Sequence, residues 1–218
     1  GEPVKGGALS LILEKIRKAG YKVSFNLYNA ANFGAAQVRE RVVIIASRDS
    51  GKVPWLTPTH SDDDAWIAQG MQPWRTFRQA TEDIPDDAHH FVQFPDKRLK
   101  YFEQLTEGQN WTSLPSVQQR AAMGKAYGLS GGRTGFYRRL RFDRPAPTLV
   151  TSPIMPATDL CHPSELRPLS IEEYKAVQGF PADWWVAGDF KEIYRQIGNA
   201  VPVQLGEAIG VRVRSEER

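Results

Sequence analysis

One cysteine, Cys161, occurs in 218 residues. That excludes an internal disulfide and removes the staple on which small secreted domains rely. No apolar run approaches the length of a membrane span, and no secretory segment is recognised at the start. A cytoplasmic protein is therefore expected. His89 and His90 have no cysteine or carboxylate around them at metal-ligand spacing, so no metal site is expected. A dominant charge is missing as well: 28 Lys and Arg against 25 Asp and Glu leave a net charge of +3. Hydrophobic residues at 41% and charged residues at 24% exclude wholesale disorder, and the length allows one compact domain or two small ones.

The charge that is present is unevenly placed. Acidic residues gather at Asp62–Asp64 and between Glu82 and Asp87, whereas arginines gather between Arg133 and Arg144. Such a division suits an anionic partner on one face, although a charge run is also the ordinary signature of a solvated surface.

Leu9, Ile12, Leu13 and Ile16 recur at helical spacing, and Gly20 is placed to end that helix. Tyr21, Val23, Phe25 and Leu27 alternate with polar residues, which predicts a strand buried on one face. Arg41–Ala46 predicts a second strand, apolar on both faces and hence central. Two strands do not make a stable sheet, so further strands must come from elsewhere. Between them, Gln37, Arg39 and Arg41 fall at alternate positions, and an extended backbone would point all three the same way. Two guanidiniums and an amide on one side make a clamp for phosphate and base oxygens. A salt-bridged edge strand using Glu40 is the other reading of the same residues.

From Ser50 to about Pro115 prolines interrupt the pattern and tryptophans are scattered, with a short helix expected between Trp74 and Ile84. Ser130–Arg144 combines glycines, aromatics and arginines. Glycines let backbone approach a groove and arginines pair with phosphates or guanine edges. A twisted β-hairpin with solvated arginines is the alternative.

The densest stretch runs from Arg167 to Leu205. Ser170 and Glu173 form a capping box, Leu169 and Tyr174 suit a hydrophobic staple, and Gly179 with Pro181 stops the helix. Gly198 and Asn199 suit a tight turn and Pro202 the first turn of the next helix, whose N–H groups could hold a polar ligand. By spacing alone, two surface helices joined by an aromatic-rich loop fit equally well.

This stretch resembles the two closing motifs of the DNA cytosine-5 methyltransferases. Gln37-x-Arg39-x-Arg41, after Asn29-Ala-Ala-x-x-Gly34, resembles that family's eighth motif. Thr148-Leu149 resembles the pair at the core of its recognition domains. The resemblance covers most of the chain but only the carboxyl-terminal half of the enzyme. It implies an α/β fold: the tail end of a Rossmann-like methyltransferase sheet in residues 1–50. A linker and a smaller, irregular, β-rich target recognition domain would occupy 51–165. Closing helices in 166–218 would return to the catalytic domain.

By the same resemblance Gln37, Arg39 and Arg41 are expected to serve catalysis by holding a flipped cytosine and its flanking backbone. Thr148 is expected on the phosphate beside the target base, and Arg133, Arg138, Arg139 and Arg141 on DNA. Gly198, Asn199, Ala200 and Val201 would line an S-adenosylmethionine pocket. The implied partners are double-stranded DNA and an amino-terminal catalytic half or subunit, with no membrane and no metal, in a bacterial or phage cytoplasm.

The family's Gly-rich first motif, its Pro-Cys nucleophile and its Glu-Asn-Val motif do not occur in this sequence. Cys161, between Leu160 and His162, is not the Pro-Cys motif and is expected to be structural. A split enzyme and a fragment of a longer chain both fit, and neither would be active alone. The activity implied is methyl transfer to carbon 5 of cytosine in duplex DNA, in restriction-modification. A non-catalytic DNA-binding module and part of an RNA cytosine methyltransferase are the rivals.

Overall fold

The computed structural model describes residues 6–48, 55–129 and 133–214, excluding the side chain of Arg133. Helix α1 (Gly7–Lys18) follows the apolar spacing and closes at Ala19, and Gly20 takes the left-handed conformation (φ 86°) that lets the chain turn back. Strand β1 (Lys22–Asn29) pairs antiparallel with the later strand Glu40–Ser47, in unbroken register from Lys22 opposite Ser47 to Asn29 opposite Glu40. Between them lie a 3-10 turn, Ala30–Phe33, and the short β2 (Gln37–Val38); Glu40–Ser47 is β3.

The second strand was expected to be central. Among the described residues β3 pairs only with β1. Its two faces have different fates. Val43, Ile45 and Tyr28 pack with Leu205, Ala208 and Ile209 from the end of the chain. On the opposite face Phe25, Leu27 and Val42 stay 40%, 54% and 53% exposed. Leu27 sits opposite Val42 and Phe25 opposite Ile44, so this is one continuous apolar face.

The middle of the chain contains β4 (His60–Ser61), α2 (Asp64–Ile67), β5 (Gln72–Pro73), α3 (Phe77–Thr81), α4 (Asp96–Phe102) and α5 (Ser116–Met123). It continues through β6 (Arg138–Arg139), β7 (Ala146–Pro147) and β8 (Leu160–Cys161). The expectation of a β-rich segment needs correction. Its strands are two residues long and pair in parallel as β2–β7, β4–β5 and β6–β8. Prolines and short apolar runs leave no stretch long enough for a ladder. Aromatic packing holds the segment instead. Phe94 stacks on Phe102 at 4.4 Å, and Tyr101, Trp111, Tyr137, Met123 and Cys161 complete that cluster. Tyr137 has a left-handed backbone (φ 51°), uncommon for a residue with a Cβ. Asp159 Oδ1 accepts its N–H at 2.7 Å, and its hydroxyl donates to Ala122 O at 3.0 Å.

The chain ends in α6 (Ile171–Gln178), α7 (Phe190–Asn199) and α8 (Val203–Arg214). Ser170 and Glu173 cap α6 reciprocally, and Gly179 (φ 81°) ends it. Leu169 and Tyr174, the expected staple, are both fully buried. Tyr174 meets Tyr194 edge-on at 4.9 Å, and Tyr194 donates its hydroxyl to Leu169 O at 2.8 Å. The surrounding core takes Phe77, Leu140, Leu149 and Leu160 from the middle segment and Val177, Tyr194 and Ile197 from the closing helices. Gly198 and Asn199 are not a turn: α7 runs through both, and Pro202 lies just outside α8.

Candidate functional site

The expected clamp is divided between interior and surface. Asn29 organises its backbone, its Oδ1 accepting the N–H groups of Ala31 at 3.2 Å and Arg39 at 3.1 Å. Gln37 is fully buried and Arg39 is 3% exposed. Arg39 donates from Nη1 to Leu149 O at 2.7 Å and from Nη2 to Gly198 O at 2.8 Å. Gln37 Oε1 accepts the Leu149 N–H at 2.8 Å. Burial, helped by the nearby Arg41, lowers the Arg39 pKa to about 10. Only Arg41 reaches solvent, donating to Glu40 O at 2.7 Å. Gln37 and Arg39 do come together, Arg39 Nη1 donating to Gln37 Oε1 at 3.3 Å, whereas Arg41 stands at the surface. A guanidinium carries donors that backbone carbonyls can satisfy, and Arg39 meets two of them inside the protein.

Strand β2 joins this clamp to the middle segment through β7, and the Thr148 hydroxyl donates to Val38 O at 2.9 Å. Thr148 and Val38 line a cleft of about 750 Å³ with Arg138, Arg141 and Arg144. Arg138 is half-buried beside Thr134 O, and burial lowers its pKa against the pull of Asp159. Arg141 forms a two-pronged pair with Asp143 at 2.8 and 2.9 Å at the surface. Gly108 (φ 79°) permits that course, since a Cβ there would lie 2.9 Å from Arg141 Cγ.

Arg139, expected on DNA, is only 6% exposed. It donates to His162 O, Pro163 O, Glu165 O and Phe102 O at 3.0–3.3 Å. Arg139 also borders the cleft beside Arg138, but its guanidinium is committed to these carbonyls while Arg138 is half-buried. The Arg133 side chain lies outside the described residues. Arg144, which lines the cleft, was not singled out in the sequence beyond being the last of the arginine run.

On the other side of the clamp lies the α7–α8 junction. Gly198 is buried because its Cα packs on Val150, while Asn199 and Val201 are exposed and Ala200 is half-buried. Gln178, unflagged in the sequence, is fully buried and donates from Nε2 to Ile197 O at 2.6 Å. No local signal marks it: a glutamine at a helix end is usually solvated.

Beneath the site, Arg167 makes a two-pronged pair with Glu173 at 2.9 and 2.8 Å, both residues buried. His89 Nδ1 lies 3.0 Å from Ser170 Oγ and His90 Nδ1 3.0 Å from Glu172 Oε1, so both attend the first turn of α6. The Cys161 thiol is fully buried, 3.4 Å from Glu165 O, and burial pushes its pKa up to about 11. A thiol so protonated is a poor nucleophile.

The architecture is that of methyltransferases. The chain superposes over 99% of its length on 66% of a putative DNA modification methyltransferase encoded within an Escherichia coli prophage, with a TM-score of 0.58 at 20% identity. Over 98% of its length it matches 64% of the S. pombe Dnmt2 methyltransferase, with a TM-score of 0.59 at 14% identity. The C-5 cytosine-specific DNA methylase family model matches residues 2–215, and the chain belongs to that family.

Among its relatives, the type II methyltransferase M.Sau96I of Staphylococcus aureus is 37% identical over 94% of this chain and 46% of its own length. M.PspPI of Psychrobacter sp. is 36% identical over 94% of this chain and 49% of its own length. The chain thus spans about half the length of the curated relatives it matches. No helix among the described residues is long and apolar enough to cross a membrane.

Proposed function

We propose that this chain is the recognition half of a type II DNA (cytosine-5)-methyltransferase. Within it, residues 1–50 close the catalytic sheet, 51–165 link to and form the recognition segment, and 166–218 return to the catalytic side. The observation that carries the reading is the cleft where Thr148 lies among Arg138, Arg141 and Arg144, next to the clamp built on Gln37 and Arg39. Arginines and a hydroxyl on one concave wall suit the phosphates of duplex DNA, which attract cations whatever the sequence. The target cytosine must leave the stack to be methylated, at a cost of about a few kcal/mol, and phosphate contacts offset that. Arg41, reaching solvent, is the clamp residue that touches the nucleic acid. Gln37 and Arg39 act behind it as positioning groups, and Arg139 holds the recognition segment together.

The exposed Asn199 amide and Val201 side chain give the α7–α8 junction one polar and one apolar group, which fits one side of S-adenosylmethionine. Residues 198–202 include no carboxylate for ribose hydroxyls, so the rest of the pocket comes from elsewhere. When bound, the donor supplies a methyl group on a positively charged sulfur. Attack on cytosine carbon 6 needs a thiolate and protonation of ring nitrogen 3 needs an acid. Cys161 is buried and held protonated, so the thiolate belongs to the amino-terminal half. The open apolar face of Phe25, Leu27 and Val42 is where that half would pack.

The test is to mix this chain with an amino-terminal half from a type II relative and assay methyl transfer to duplex DNA. Transfer in the mixture, absent from either half, is expected. Duplex binding without transfer by any such mixture would leave a DNA-binding module. Preference for tRNA over duplex in competition would replace DNA as the substrate.

A further inference from the structure

Residues 148–150 are held from behind by a buried polar cluster that also holds the end of α7. Gln37 Oε1 accepts the Leu149 N–H at 2.8 Å, and Gln37 Nε2 donates to Gln178 Oε1 at 3.0 Å. Gln178 Nε2 donates to Ile197 O at 2.6 Å, with a longer approach to Ala200 O at 3.4 Å. Arg39 bridges the same two places directly, through Leu149 O and Gly198 O. Gln37 and Gln178 are fully buried, so water cannot replace any of these partners. The amide orientations fix one another. With Gln178 Nε2 on Ile197 O, its Oε1 must accept, and Gln37 must donate to it and accept from Leu149. On the cleft side Thr148 is tied to Val38 O, and on the helix side Val150 O lies against the Cα of Gly198.

We infer that Gln178 is a positioning residue that couples the DNA cleft to the α7–α8 junction, so that a duplex engaging Thr148 orders residues 197–201 and the two binding events strengthen each other. The inference rests on the DNA-cleft and donor-side reading given above. A displacement at Thr148 or Leu149 cannot occur alone. It moves Gln37, and through Gln37 the amide of Gln178 that holds the Ile197 carbonyl. Close packing at Gly198 leaves no slack to absorb that movement. Coupling between two sites is reciprocal: whatever duplex binding gives to the junction, a ligand at the junction returns to duplex binding.

Amide hydrogen exchange on the wild-type chain, with and without a random-sequence duplex at low salt, tests this. Duplex should slow exchange in residues 138–150, and should slow it at 197–201 by at least about fivefold, the lower end of ordinary coupling. In Gln178→Leu the first effect should persist and the second be clearly weakened, Arg39 still bridging Leu149 O and Gly198 O, with exchange in α1 unchanged as a check on folding. Protection at 138–150 without any at 197–201 overturns the coupling and leaves the DNA cleft standing. Equal protection in Gln178→Leu removes Gln178 from the role. No protection at 138–150 overturns the cleft itself, and the coupling with it. The wild-type comparison decides the matter even if the variant fails to fold.

Discussion

Gly198 and Val150 touch so closely that a Cβ on Gly198 would lie 2.3 Å from the Val150 carbonyl oxygen. That oxygen is backbone and cannot rotate away. The end of α7 is thereby seated on the segment just after β7 that carries Thr148 and Leu149. Gly198→Ala should cost about 1–3 kcal/mol, as overpacking does. Gly206→Ala in α8, where nothing lies within 4 Å, should stabilise by about 0.5–1 kcal/mol. Urea midpoints of the two variants should move in opposite directions.

Arg138 and Arg139 are neighbours with opposite assignments. Arg139→Ala takes a donor from four carbonyls, leaving those of His162 and Pro163 buried without it, and should cost about 2 kcal/mol in urea unfolding. Arg138→Ala, which gives up only a long contact to Thr134 O, should leave stability within about 0.5 kcal/mol and weaken duplex binding. The reverse pattern would exchange their roles.

Arg41→Ala should weaken binding to all duplexes alike, because its proposed partners are backbone and target base. The slope of log affinity against log salt should fall by about 1. A loss confined to one sequence context would assign Arg41 to base readout instead.

His162 gives the fold a pH dependence. Its Nδ1 accepts the Glu165 N–H at 3.1 Å, its ring meets Phe77 and Phe142 edge-on, and Glu165, Glu173, Arg167 and His89 surround it. Burial lowers its pKa below the ordinary 6.5, the Glu173 charge opposing this and Arg167 adding to it. The unfolded chain therefore takes up the proton first as pH falls. The stability His162 contributes is complete above 6.5 and is lost as the pH drops below that value toward the folded pKa. Each unit of separation is worth about 1.4 kcal/mol. Acidification through this window should lower the urea midpoint of the wild type more than that of His162→Gln.

Much of the local structure was legible in the sequence. The capping box at Ser170 and Glu173 and the stop at Gly179 are present, and Leu169 and Tyr174, expected as a staple, are both buried. Each depends on residues within one or two helical turns, and short-range hydrogen bonding fixes such features wherever the chain goes. The first helix and the position of the strands followed from periodicity for the same reason. The face of β1 expected to be buried, however, is the one left open at Phe25 and Leu27, while Tyr28 on the other face packs inward. Apolarity on both faces of β3 was legible too, though the described residues cover only one of them.

What the tertiary structure alone decided was the destination of each polar side chain. Alternation cannot say that Arg39 finds its carbonyl on Gly198, 159 positions away, or that Arg139 turns inward while Arg138 does not. Nor could composition show that Gln178 would be fully enclosed. A buried polar group goes where its partners are, and those partners are backbone atoms brought near only by the packing of distant segments.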